Sequence, residues 1–163
     1  MTIERFNRLL SEIGLGVKVS NPYATITKGE LVALANARLP ETFAAGAATT
    51  FSCAKLNGQT FLGGSAYAQC GLCFACAVRR AAFRRANVPD ATEYLTERLA
   101  GPAITALRDK RAGDINALQL AIERGFDEVG LLSLAPFPPG FDFDEALDLC
   151  DRGFRELAAQ ILG

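Results

Sequence analysis

Three cysteines at three-residue spacing lie in the run Cys70-Gly71-Leu72-Cys73-Phe74-Ala75-Cys76-Ala77-Val78-Arg79-Arg80, and a fourth, Cys53, lies upstream. A chain that brings four thiols to one point has little freedom in how the flanking segments fold. Tetrahedral zinc takes four thiolates at about 2.3 Å, and C-x2-C is the usual first half of such a site. Gly71 frees the backbone for a tight knuckle, because glycine reaches positive φ without steric cost. The sequence predicts a helix over 75–86, with Cys76 in or near its first turn, where the helix dipole favours an anionic ligand. Four thiolates around one zinc carry roughly a −2 charge, and Arg79 and Arg80 follow at once to offset it.

The same thiols admit other readings. Disulfides suit an oxidising compartment, but residues 1–7 lack the basic and apolar regions of a secretory signal, and C-x2-C-x2-C crowds the thiols. A [4Fe–4S] cluster of the bacterial ferredoxin type needs a further C-x3-C-P after the triple; Val78, Arg79 and Arg80 stand there instead. Unligated core cysteines are a third alternative. If the metal is zinc, its role is structural. Protein fills all four positions, and there is no histidine in the chain to build a mixed catalytic site. Cys150 sits in a helical pattern and reads as a small buried hydrophobe.

At 163 residues the chain is expected to be one domain with a sizeable core. No apolar run reaches the eighteen or so residues that a membrane span requires. The net charge of −1 provides no global basic field for nucleic acid. Clustered free thiols suit a reducing, cytoplasmic home. Arg79, Arg80, Arg84 and Arg85 share one expected helix, either as a solvated face or as an edge turned towards phosphate.

The fold expectation is mainly α with a short β segment. An amphipathic helix is expected over 2–13 with Gly14 as its stop, then a short alternating strand over 16–20. Thr27 and Glu30 form a capping box for the following helix. Lys28 falls in that helix's first turn, where a cation is disfavoured, which suggests that it meets an anion. Residues 40–50 read as a connector and 55–69 as a loop returning to the knuckle. Gly63-Gly64-Ser65 lacks the context of a phosphate loop. Further helices are expected over 90–99, capped by Asp90, and over 104–110, 115–124 and 144–162. Phe137, Phe141 and Phe143, around Pro136, Pro138, Pro139 and Gly140, read as core anchors more than as a docking surface.

Asn21-Pro22-Tyr23 through Thr27-Lys28-Gly29-Glu30, then Ser52-Cys53, then Cys70 to Arg79 line up in an order that resembles the C-terminal half of the 7-cyano-7-deazaguanine synthase (QueC) family. Arg79-Arg80-Ala81-Ala82 and Asp90-Ala91-Thr92-Glu93-Tyr94 are most similar to its defence-associated QatC type. The resemblance covers roughly 2–96. It implies a division into a QueC-like region, 1–100, and a helical extension packed on it, 101–163. It also implies the zinc-bearing helical part of a Rossmann-like adenine-nucleotide α-hydrolase fold.

In that family ATP activates 7-carboxy-7-deazaguanine, and ammonia then leads to the amide and the nitrile. The resemblance makes Cys53, Cys70, Cys73 and Cys76 the ligands of a structural zinc. It makes Lys28 and Arg79 contacts to substrate or phosphate. The family's Ser-Gly-Gly-x-Asp-Ser pyrophosphate loop has no counterpart here, so this chain alone is expected to be silent towards ATP, which would enter only an assembled enzyme. Three functions compete: a zinc-containing portion of a QueC-like enzyme that works with a Rossmann-like half or a second copy, a non-catalytic zinc-binding interaction module in a defence or modification complex, and, least favoured, an iron–sulfur electron carrier. The expected docking face comprises Phe6, Leu9 and Leu10, the strand portion from Val17 to Val19 and the start of the Lys28 helix.

Overall fold

The computed structural model describes residues 2–134 and 142–162, and the described residues are mainly helical. Helices α1 (Thr2–Glu12), α2 (Lys28–Arg38) and α3 (Phe43–Ala48) precede a long loop that contains a single 3-10 turn at Gly58–Thr60. Helices α4 (Phe74–Ala86), α5 (Leu95–Arg98), α6 (Gly101–Arg124), α7 (Glu128–Leu134) and α8 (Phe143–Leu162) follow. Helix α4 is central and packs chiefly between α2 and α8. Ala77, Ala81 and Ala82 are buried along it, and small side chains let the neighbouring helices approach closely. Phe43 stacks on Phe83 at 6.1 Å, which closes the α3 side. No helix among the described residues is long and apolar enough to cross a membrane.

Helix α2 starts where its sequence dictates. The Thr27 hydroxyl accepts from the Glu30 amide at 3.1 Å, and the Glu30 carboxylate accepts from the Thr27 amide at 2.8 Å, which closes the expected capping box. Gly29 is needed for close packing: a Cβ there would come within 2.6 Å of Glu156 Oε1 and 2.7 Å of Arg85 Cγ. Arg152 of α8 pairs with Glu30 and donates to the Thr25 carbonyl at 2.9 Å. The start of α2 is therefore covered by the chain's own last helix, not left open as a docking surface. The hydrogen bond from Arg152 holds the Glu30 carboxyl below its ordinary value of 4.5. Because that folded value is lowered, the pairing contributes stability above about pH 4.5 and loses it as pH falls further. Glu30→Gln keeps the capping box, so its stability gap from the parent should be present at pH 7 and shrink towards pH 3 in denaturant titrations; a constant gap would remove the charge from the explanation.

The expected strand over 16–20 does not form, and among the described residues the one β-bridge is an isolated parallel pairing of Gln69 with Tyr94. A strand needs a partner ladder, and none is present beside this segment. The Asn7 side chain substitutes for one: its amide donates to the Val19 carbonyl at 2.8 Å and accepts from the Val19 amide at 2.7 Å. Residues 40–50 are less irregular than expected, because the alanines of α3 carry high helix propensity. The helix expected from Asp90 is delayed to Leu95. Asp90 instead accepts from the Thr92 amide at 3.1 Å and the Tyr94 hydroxyl at 2.8 Å, and 92–94 run extended beside Gln69. The two helices expected at 104–110 and 115–124 are one. Pro102 fits the first turn of α6, and Gly113 costs about 1 kcal/mol against alanine without breaking it. Phe143 opens α8 half-exposed; Phe137, Phe141 and the proline-rich segment lie outside the described residues.

Candidate metal centre

Cys53, Cys70, Cys73 and Cys76 meet in the interior, with their Sγ atoms all within 4.8 Å of one another. Cys76 is fully shielded from solvent, and Leu95, Leu99, Leu107, Phe61 and Tyr94 close the surrounding core. Gly71 turns the knuckle at φ 80°, where a Cβ would also strike Thr96 Oγ1 at 2.5 Å. The extended Cys73 caps α4, so Cys76 enters the first turn as expected.

The spacing of the sulfurs discriminates among the readings. Cys53 and Cys73 stand 3.9 Å apart, and Cys70 and Cys76 3.8 Å. A disulfide needs about 2.05 Å, and all four are free thiols. A tetrahedron with metal–sulfur bonds of about 2.3 Å has an edge of about 3.8 Å. The donor set therefore fits a single ion. Backbone amides complete it: the Lys55 and Cys70 amides donate to Cys53 Sγ at 3.4 Å each, and the Cys73 amide donates to Cys70 Sγ at 3.3 Å. Such donors favour thiolate over thiol. Within the cluster, hydrogen bonds from Cys53, Cys73 and Cys76 hold Cys70 well below the ordinary thiol range, and Cys53 foremost lowers Cys73 to about 6. Cys53 is raised, first by its contact with Cys70, and Cys76 is raised by all three neighbours and by burial. Four anions this close repel, so all four ionise together only around a cation. Cys150 stands outside the group and is half-buried on α8.

Sequence reasoning missed Gln69, which holds the most distant ligand in place. Its buried Oε1 accepts from the Ser52 and Cys53 amides at 2.9 and 3.1 Å, and its Nε2 donates to the Thr50 carbonyl at 3.1 Å. A polar residue directly before Cys70 was the available signal.

Lys28 and Arg79 both line a cleft of about 800 Å³ formed by α2, α3 and α4, with Leu31, Phe43, Phe51 and Ser52 among its walls. They differ in state. Lys28 is exposed. Arg79 is only 3% exposed and donates from Nε to Thr92 Oγ1 at 2.9 Å, from Nη1 to Thr50 Oγ1 at 2.9 Å and Ser52 Oγ at 3.3 Å, and from Nη2 to the Ala47 carbonyl at 2.6 Å. Arg80 turns the other way, over the Tyr94 ring at 4.0 Å and onto Glu97 at 2.6 Å.

No family model matches the chain, and no solved structure matches it. Among curated proteins it is 38% identical over 79 residues to a 7-cyano-7-deazaguanine synthase of Porphyromonas gingivalis, covering 48% of this chain and 30% of that protein. It is 33% identical over 96 residues to a 7-cyano-7-deazaguanine synthase of Methanococcus maripaludis, covering 58% of this chain and 39% of that protein. The chain thus spans between three tenths and two fifths of the length of these relatives, and its four buried cysteines form a site able to hold a metal ion beside a partial likeness to that synthase.

Proposed function

We propose that this chain is the zinc-bearing portion of a QueC-like enzyme, acting on a 7-deazapurine of the 7-carboxy-7-deazaguanine type with a Rossmann-like half or a second copy. The observation that carries the reading is the buried four-cysteine cluster of a chain partly similar to two 7-cyano-7-deazaguanine synthases. Zinc fits the donor set because it takes four thiolates without a further geometric demand. Its role here is structural, because the protein supplies all four ligands and leaves no position for water. Lys28, exposed on the lining of the large cleft, supplies a cation for a carboxylate or phosphate, and Arg79 stiffens the wall of the same cleft. ATP enters only with the partner. Ile3, Phe6, Leu9, Ile13 and Val17 remain exposed on α1 and the segment after it, with Val17 at 64%, whereas Leu10 of the expected face is buried; exposed apolar surface of this kind marks an interface, and this reading puts the docking side here.

Elemental analysis of the purified chain is expected to give one zinc per polypeptide in a colourless protein; iron with a brown colour, or no bound metal, overturns the reading. Calorimetric titration of the zinc-loaded chain with 7-carboxy-7-deazaguanine should show binding that Lys28→Glu weakens by at least about tenfold, with zinc content and melting temperature unchanged. The inward-turned donors of Arg79 favour one second reading, a zinc-braced interaction module without catalysis. Binding unaffected by Lys28→Glu, or absent altogether, selects that module.

A further inference from the structure

We propose that the cleft between α4 and α8 binds a dianionic phosphate group, that of a small phosphomonoester or of inorganic phosphate. The cleft has a volume of about 420 Å³ and is lined by Arg84 and Arg85 of α4, Arg152 and Arg155 of α8, and the carboxylates Glu30 and Glu156. Ligand clefts usually fall in the range of about 300–1,000 Å³. Glu30, Asp148 and Asp151 pair with Arg152 and Arg155, which leaves Arg84 and Arg85 as the two guanidiniums of the lining with no ion pair among the described residues. A phosphomonoester carries about −1.5 to −2 at neutral pH and matches those two unpaired cations.

The arginines divide into held and available ones. On α8, Arg152 is fixed by Glu30, by Asp148 at 2.8 Å and by the Thr25 carbonyl; Arg155 is fixed by Asp151 at 2.6 Å. Asp148 and Asp151 lie outside the lining, so they orient the two guanidiniums without filling the space. On α4, Arg84 and Arg85 are exposed in the last turn. Among the described residues Arg84 has no hydrogen-bond or ion-pair partner, and Arg85 acts on Glu30 only through its field. The helix dipole accounts for cations at this end of α4 but leaves their donors unspent. A planar guanidinium presents those donors as a fork that matches phosphate oxygens.

Glu156 sets the depth of the site. It is 8% exposed; Oε1 accepts from Thr27 Oγ1, and Oε2 accepts from the Gly29 amide at 3.1 Å. The anion position at the start of α2 is therefore already taken by a carboxylate of the chain. An incoming phosphate sits at the outer rim and takes its hydrogen bonds from Arg84 and Arg85, with Arg152 and Arg155 held on the opposite wall by their carboxylates. Arg79 and the large cleft belong to a different set of walls, so this site does not depend on the zinc reading.

The test is titration of the intact chain at low ionic strength with inorganic phosphate and, separately, with adenosine 5′-monophosphate, followed by calorimetry and 31P NMR. Saturable one-site binding is expected for both. The double variant Arg84→Gln/Arg85→Gln should weaken it by about tenfold or more, as removal of charge-assisted hydrogen bonds does. Arg38→Gln, an exposed arginine of α2 outside the cleft, should leave binding unchanged. Equal affinities assign the site to the phosphate group alone, and tighter binding of the nucleotide assigns it to a phosphorylated small molecule. Absence of saturable binding by either probe, or equal weakening by Arg38→Gln and the double variant with melting temperatures unchanged, overturns the proposal.

Discussion

Cys73→Ser is expected to leave the chain without its metal ion and largely unfolded, while Cys150→Ser changes stability by less than about 1 kcal/mol. The asymmetry follows from what each sulfur touches. Cys73 supplies one corner of the tetrahedron, 3.9 Å from Cys53, and caps the central helix α4. Structural zinc contributes on the order of 10 kcal/mol of apparent binding energy to folding, which is comparable with the whole stability of a domain of this size. Its loss also places several mutually repelling or protonated thiols in a core built from Leu95, Leu107 and Phe61. Cys150 is half-buried on α8 and tolerates a hydroxyl. Circular dichroism and zinc content of the two variants decide the matter; equal damage from both substitutions would detach the fold from the metal.

Legibility followed the range of the interactions involved. The capping box at Thr27 and Glu30, the glycine knuckle at Gly71 and the convergence of Cys70, Cys73 and Cys76 are local, and the sequence carried them. The amphipathic pattern of α8 was equally plain, because it repeats over five turns. What misled was local pattern lacking a distant partner. Alternation over 16–20 has the period of a strand, but no second strand lies alongside, and a single asparagine, Asn7, takes the backbone bonds. Asp90 has the character of a helix cap, but Tyr94 is drawn out beside Gln69 and delays the helix. The start of α2 is held by Glu156, which accepts from the Gly29 amide 127 residues away, and no period or spacing connects the two.

Arg79→Lys is expected to destabilise the fold by about 3–5 kcal/mol, the range for breaking a buried charged contact by removing one side, although it conserves the charge. Arg79 ties four residues to α4 through a single planar group: Thr92 through Nε, Thr50 and Ser52 through Nη1, and Ala47 through Nη2, with Asp90 at 3.9 Å supplying the countercharge. Lysine offers one ammonium at the end of a flexible stem and cannot face Thr92 and Ala47 together. Each buried acceptor left unpaired costs about 1–3 kcal/mol. The segment most affected is the one that presents Cys53, because Thr50 and Ser52 lie immediately before it and Gln69 reaches the same backbone. The variant should therefore melt at lower temperature and release zinc to a chelator faster than the parent, whereas Lys28→Glu, on the same cleft but exposed, should do neither. Unchanged stability and zinc release in Arg79→Lys, with loss of ligand binding, would return Arg79 from the wall of the cleft to its contents.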